Sequence, residues 1–229
     1  MSLVMVPANL QRIMVVSPHC DDAVFGCGML LDASPGAIVV TIFGGSPGKQ
    51  PLTEWDPASG FRQGDDVMAI RCHEDRQALA RLSASPIWLP FHDDQYRMPV
   101  SYDDLRNSIR GLLHQVRPHA VFVPWGLFHH DHRLASDICL DLRHEVPAPW
   151  FLYEEAFYRR IPEELSARVA LLRLRGIRAR PVAMGHAGSP ERKREAVVCY
   201  QSQLSALATP GRPGIADVFE PERVWLVHP

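Results

Sequence analysis

The sequence holds five cysteines in 229 residues, an odd number with no C-x-x-C pair among them. Cys20, Cys27, Cys72, Cys139 and Cys199 therefore predict no disulfide framework, and a reducing, cytoplasmic setting fits them. No apolar run nears the ~20 residues of a membrane span. The N-terminal residues lack the basic region, apolar core and cleavage site of a secretion signal, and Met1-Ser2-Leu3 is given no weight. An excess of one charge is also missing, since 24 Lys and Arg face 26 Asp and Glu, for a net charge of -2. No basic patch stands out, which argues against a nucleic-acid partner. The late arginines Arg173, Arg175, Arg178 and Arg180 read as a solvated helix face, with contact to an anionic substrate as the alternative. Internal repeats and domain linkers are absent as well. One domain over residues 1–229 is expected, less regular from about residue 155, and homo-oligomers are left open.

What is present is a core: 46% of residues are hydrophobic, enough for a large buried interior. Short apolar runs rich in β-branched and aromatic residues predict strands at 12–17, 37–43, 87–91, 120–125 and 150–153, with weaker candidates at 181–184 and, as an edge strand, 224–227. Helical spacing falls between them, at 22–31, 64–82, 102–116 and 131–142, and later at 162–174 and 189–207. In 64–82 the apolar face takes Val67, Ile70, His73 or Glu74, Ala78 and Leu82. Ser101-x-x-Asp104 resembles a capping box before the stripe Leu105, Ile109, Leu112, Leu113 and Val116. Strand–helix alternation predicts an α/β fold, with a mostly parallel sheet and helices on both faces. Residues 44–60, rich in Gly, Pro and Ser, form either a lid or a mobile loop, and 210–221 is a second irregular stretch.

Two clusters carry chemistry. His19, Asp21 and Asp22 follow the first strand, and His129, Asp131 and His132 follow the strand at 120–125. Carboxyl ends of strands are where open α/β sheets bind ligands. A strand-to-helix turn can bring His19 and Asp22, three residues apart, to one point, which His132 can approach from the neighbouring strand end. Two histidines and a carboxylate leave a metal with open positions, the mark of a catalytic centre. Asp21 is then the free carboxylate suited to general base. His129 can donate to an oxyanion, and Asp131 can orient a histidine from behind. Each cluster alone could be a helix start with a satisfied histidine, Asp22 being a good cap. The pair together favours a site. Gly26-Cys27-Gly28 lacks the full dinucleotide fingerprint and reads as close helix–sheet packing.

Ser17-Pro18-His19-Cys20-Asp21-Asp22-Ala23-Val24 with His129-x-Asp131-His132 resembles the LmbE-like, or PIG-L-like, deacetylases. Arg71-x-x-Glu74, the stretch Leu89-Pro90-Phe91-His92-Asp93-Asp94-Gln95-Tyr96-Arg97, Tyr153-Glu154, and Lys193 with Tyr200-Gln201-Ser202-Gln203 extend the likeness over most of the chain. The resemblance implies a Rossmann-like fold without a nucleotide and a zinc-dependent N-deacetylase of N-acetylglucosaminyl compounds. It implies His19, Asp22 and His132 as ligands of Zn²⁺, a site that also suits Fe²⁺ or another divalent transition metal. It further implies Asp21 as base, His129 at the oxyanion, and Arg71 and Asp93 on sugar hydroxyls. The chain departs from the pattern at Cys20, where Pro is usual, and at Ala23, where Glu is frequent. It also lacks a tyrosine in Trp125-Gly126-Leu127-Phe128, which leaves Tyr96, Tyr153 and Tyr158 as open candidates for a proton donor. The partner expected is a small amino-sugar substrate. The rival readings are an amidase of a non-sugar natural-product intermediate, for which Trp55, Phe61, Phe128 and Trp150 supply apolar contacts, and an inactive binding protein of the same fold.

Overall fold

The computed structural model describes residues 5–6, 12–48, 51–184, 188–209 and 215–228. Met1-Ser2-Leu3, Lys49 and Gln50 in the 44–60 loop, and 210–214 in the second irregular stretch lie outside the described residues. The strands are β1 (Met5–Val6), β2 (Ile13–Ser17), β3 (Ile38–Thr41), β4 (Ser85–Trp88), β5 (Ala120–Pro124), β6 (Trp150–Tyr153), β7 (Ala179–Met184) and β8 (Val224–Val227). The helices are α1 (Asp22–Asp32), α2 (Trp55–Ala58), α3 (Val67–Arg81), α4 (Tyr102–Val116), α5 (His130–Asp141), α6 (Glu164–Leu174), α7 (Pro190–Val197) and α8 (Gln201–Leu207).

The strands form one sheet in the order β1-β7-β8-β6-β5-β2-β3-β4. From β6 to β4 every pairing is parallel. Side chains alternate between two cores. Ile13 and Val15 of β2 join Ala120 and Phe122 of β5 on one face, beneath α1, α3 and α7. Met14 and Val16 join Val121 and Val123 on the other, against α4 and α5. That double burial is why these strands read as unbroken apolar runs. Leu105, Ile109 and Leu113 of α4 are buried as its stripe predicts, and Ser101 Oγ accepts from Asp104 N at 3.3 Å. The chain runs β2, β3, β4 to one side and then returns to β5 on the other side of β2. The order reverses between β2 and β5, so their carboxyl ends flank the crevice where such sheets bind ligands.

Several elements differ from their sequence readings. β8 is interior rather than an edge, antiparallel to both β6 and β7. The helix expected at 189–207 is two: tight bonds from Cys199 N to Ala196 O and from Tyr200 N to Val197 O break it. The break turns Tyr200 into the core, where its hydroxyl donates to Asp75 at 2.7 Å. The buried face of α3 passes through Arg71, Glu74 and Asp75 and leaves Ile70 40% exposed. Those charges are matched: Arg71 meets Asp56, Glu74 accepts from Ser202, and Asp75 accepts from Trp88 and Tyr200. The loop at 44–60 contains α2, whose fully buried Asp56 ties it to Arg71.

The glycines of α1 do pack closely. A Cβ on Gly26 would come within 2.8 Å of the Tyr153 ring, and one on Gly28 within 2.8 Å of Lys193. Between them Cys27 leaves helical geometry, at φ -136. Glu222 accepts the freed Met29 and Leu30 N–H groups, and Lys193 donates to Phe25 O and to Glu222. The late arginines do not share one helix face: Arg173 is exposed on α6, Arg175 follows that helix and pairs with Asp137 and Asp141, Arg178 lies in the loop beyond, and Arg180 is exposed on β7.

Candidate metal centre

The turn after β2 is shaped by Ser17, whose hydroxyl donates to His19 O and accepts from Ala23 N. Asp21 stands at the N-cap of α1 yet makes no side-chain capping bond, and its carboxylate accepts no hydrogen bond from the described residues. It stays free. Asp22, in the first turn, reaches back to accept from His19 N at 2.9 Å. Its Oδ2 also lies 3.3 Å from His19 Nδ1 and 3.3 Å from His132 Nε2.

The second cluster leaves β5 through a tight turn. Gly126, at φ 78, sits where a Cβ would strike Ser136 at 2.8 Å. Phe128 is left-handed too, at φ 57, and 57% exposed. His129 caps α5 with its ring: Nδ1 accepts from Asp131 N at 3.2 Å. An accepting Nδ1 places the proton of neutral imidazole on Nε2. Burial and the neighbouring His19 and His132 hold the His129 pKa below the ordinary imidazole value. The ring is therefore a neutral donor through Nε2 at pH 7.

His132 is 1% exposed and held from behind by Glu155, whose Oε1 lies 3.4 Å from its Nδ1. The same oxygen accepts from Gly126 N at 2.8 Å and Leu127 N at 2.9 Å. Glu155 follows β6 and is absent from the sequence-derived site. Nothing local marks it, because its contact with His132 depends on β5 pairing with β6. Asp131 faces His19 rather than His129: its Oδ2 is 3.0 Å from His19 Nε2 and accepts from Asp94 N at 3.0 Å. Asp93 caps the turn Asp94–Tyr96 and stands 3.7 Å from His19 Nε2. Arg71 sits deeper, bonded to Asp56 at 3.3 Å and lying over the Phe61 ring. The tyrosines separate as well. Tyr153 is fully buried and donates to Val16 O at 2.9 Å. Tyr96 Oη is buried without a partner among the described residues. The Tyr158 ring stands edge-on to His132, centroids 5.1 Å apart, and against Phe128 at 5.4 Å.

The donors fit a cation. Tetrahedral ligands at about 2.1 Å from a metal lie about 3.4 Å apart. His19 Nδ1 and His132 Nε2 are each 3.3 Å from Asp22 Oδ2, close to that spacing. A second trio, His19, His129 and Asp131, also gathers its donor atoms within 4.8 Å. It uses Asp131, whose Oδ2 is already engaged by His19 Nε2 and Asp94 N. The charges point the same way. Burial opposes charge on His132, but Asp22 and Glu155 push its pKa up to about 9. Burial likewise opposes a charged His19, which Asp93, Asp131 and Asp22 nevertheless hold well above the ordinary value. Burial and the adjacent Asp22 push Asp21 up to about 7. The carboxylates seek positive charge, which a divalent cation on neutral imidazoles supplies.

The model of the family described as PIG-L, GlcNAc-PI de-N-acetylase, matches residues 14–142. No curated protein matches the sequence at a significant level. Among solved structures, a triple mutant (Orf2*T) of a deacetylase of the teicoplanin biosynthetic pathway is 23% identical, covers 95% of this chain and 98% of its own, and gives a TM-score of 0.76. Teicoplanin deacetylase Orf2 in a zinc-inhibited form is 21% identical, over 95% of this chain and 98% of its own, with a TM-score of 0.76. The A40926 pseudoaglycone deacetylase Dbv21 is 23% identical over 97% of this chain and 98% of its own, at 0.75. N,N'-diacetylchitobiose deacetylase from Pyrococcus horikoshii is 18% identical over 84% of this chain and 70% of its own, at 0.52. These likenesses establish the shared mixed α/β fold.

Proposed function

The chain belongs to the PIG-L, or GlcNAc-PI de-N-acetylase, family, and from that premise we propose that it is a zinc-dependent N-deacetylase of an N-acetylated amino sugar borne on a larger conjugate. The observation that carries the reading is the trio His19, Asp22 and His132, spaced for one cation beside an unbonded Asp21. Its mixed imidazole and carboxylate donors suit Zn²⁺ and also Fe²⁺. A cation held there supplies a Lewis acid for the amide carbonyl and lowers the pKa of an attacking water.

The chain's own residues do the rest. Asp21, with no hydrogen-bond partner among the described residues, takes the proton of the attacking water and returns it to the leaving amine. His129 donates a hydrogen bond from Nε2 to the oxyanion. Asp131 braces the His19 ring from behind. Tyr153 is occupied by Val16 O, so Tyr158, bordering His132, is the phenol placed to hydrogen-bond the leaving amine while Asp21 protonates it. Asp93, beside His19, is assigned to sugar hydroxyls. Arg71 joins it: its Nε and the Tyr96 hydroxyl are buried without a partner among the described residues, a lack that a ligand hydroxyl repairs. Proteins of similar fold are described as an A40926 pseudoaglycone deacetylase, a deacetylase in complex with teicoplanin and an N,N'-diacetylchitobiose deacetylase, which supports an N-acetylated sugar or its conjugate as substrate. The exposed Phe128, next to His129, favours a second reading in which an apolar acylated product replaces the sugar.

Acetate release from a panel of N-acetylglucosaminyl conjugates, set against N-acyl amino acids, tests the choice. Turnover of the sugar conjugates is expected. Turnover confined to the acyl amino acids would move the assignment to the second reading.

A further inference from the structure

Two thiols that the mechanism does not use meet beneath the metal loop. Cys20 lies between His19 and Asp21 and is 5% exposed. Cys72 lies on α3, half-buried, one residue past Arg71. Their sulfurs are 3.9 Å apart, although the residues are 52 positions apart in sequence. The other thiols have different surroundings: Cys27 and Cys139 are fully buried, and Cys199 donates to Glu195 O on its own helix turn. We propose that Cys20 and Cys72 form a thiol-modification site, an oxidisable pair that peroxide closes into a disulfide, loosening the metal loop.

The chemistry needs only a hydroperoxide as oxidant. Cys72 is the accessible partner, so its thiolate attacks the peroxide. The O–O bond breaks, Cys72 becomes a sulfenic acid, and hydroxide leaves. The Cys20 sulfur then attacks the Cys72 sulfur, the S–O bond breaks, and water departs with the Cys20 proton. Two electrons pass from the pair of thiols to the peroxide. Cys20 hydrogen-bonds Cys72, and that contact holds the Cys72 thiol below the ordinary range, which favours Cys72 as attacker. A disulfide needs its sulfurs about 2.05 Å apart. Closing the 3.9 Å gap must draw Cys20, Cys72 or both inward. Cys20 is peptide-bonded to both His19 and Asp21, so its movement disturbs a proposed ligand and the proposed base together. That consequence rests on the metal assignment above; the pairing of the thiols does not.

The test is a titration of the metal-loaded, full-length protein with hydrogen peroxide, followed by tryptic digestion without reductant and by metal analysis. Cleavage after Arg12, Lys49, Arg71 and Arg76 isolates residues 13–49 and 72–76. One linked species joining these peptides is expected, with fragment ions placing the bond on Cys20 rather than Cys27. Metal retention should fall about tenfold or more as the link forms, return with dithiothreitol, and be unaffected by peroxide in Cys72→Ser. Cys72→Ala serves if the serine variant fails to fold. Separate oxidation of the two thiols, or links through Cys27, Cys139 or Cys199 instead, would overturn the site. A 20–72 link that leaves metal retention unchanged would overturn its effect on the loop. If the reduced protein binds no metal, the functional assignment fails, while the peptide map still decides the thiol pair.

Discussion

Asp21 and Asp22 are adjacent carboxylates with opposite electrostatics. Burial opposes charge on Asp22, yet His132 and His19 hold its pKa far below the usual carboxylate range. Burial and Asp22 instead push Asp21 up to about 7. One residue is thus fixed as an anion beside the histidines, and the other is poised to exchange a proton near neutrality. A base works only when deprotonated, so the rate should fall tenfold per pH unit below the pKa of Asp21. A bound cation adds positive charge and lowers that pKa, so the midpoint of the acid limb should lie at or below about 7. Asp21→Asn should keep its metal, lose about 10²–10⁴-fold in kcat and lose the acid limb. A variant with near wild-type kcat, or one that keeps the limb, would remove Asp21 from the role. These residues were legible because a strand, a tight turn and a helix start follow one another within the ten residues Ile13 to Asp22, so spacing alone converges His19 on Asp22. Tyr158 was not ranked by sequence, since its approach to His132 depends on the path of the chain after β6.

At the scale of elements, Glu155 joins two strand ends. Its Oε1 takes the Gly126 and Leu127 N–H groups of the turn after β5 and stands behind His132. This keeps the His132 proton on Nδ1 and leaves Nε2 toward Asp22. Glu155→Gln keeps the shape and weakens the acceptor. Metal affinity should fall about 10–100-fold in a competition titration, with the thermal midpoint of the metal-free protein little changed. Wild-type affinity would reduce Glu155 to a structural tie. The stripe of α4 is apolar and its helix matches its spacing residue for residue. The buried face of α3 is charged, and hydrophobic periodicity misplaced Ile70 there, because α2, β4 and α8 supply polar partners to Arg71, Asp75 and Glu74. The break between α7 and α8 was hidden for a similar reason: it serves the burial of Tyr200, a tertiary demand.

For the whole molecule, the parallel order follows from strand–helix alternation, but the place of each strand does not. β8 enters between β6 and β7, and β1 adds to β7, both through long-range pairing that short apolar runs do not encode. What matters for function is that β2 and β5 are neighbours at the point where the strand order reverses. Two clusters more than 100 residues apart in sequence thereby share one crevice, and His19 and His132 converge on a single oxygen of Asp22. The scaffold's role is to hold that convergence between two apolar cores. The most direct measurement is metal content by elemental analysis of wild type and His19→Ala, both prepared without a chelating column. About one transition metal per wild-type chain is expected, and its loss from the variant. A wild-type protein that is metal-free and cannot be reloaded with Zn²⁺, or a variant that keeps its metal, would contradict the metal assignment.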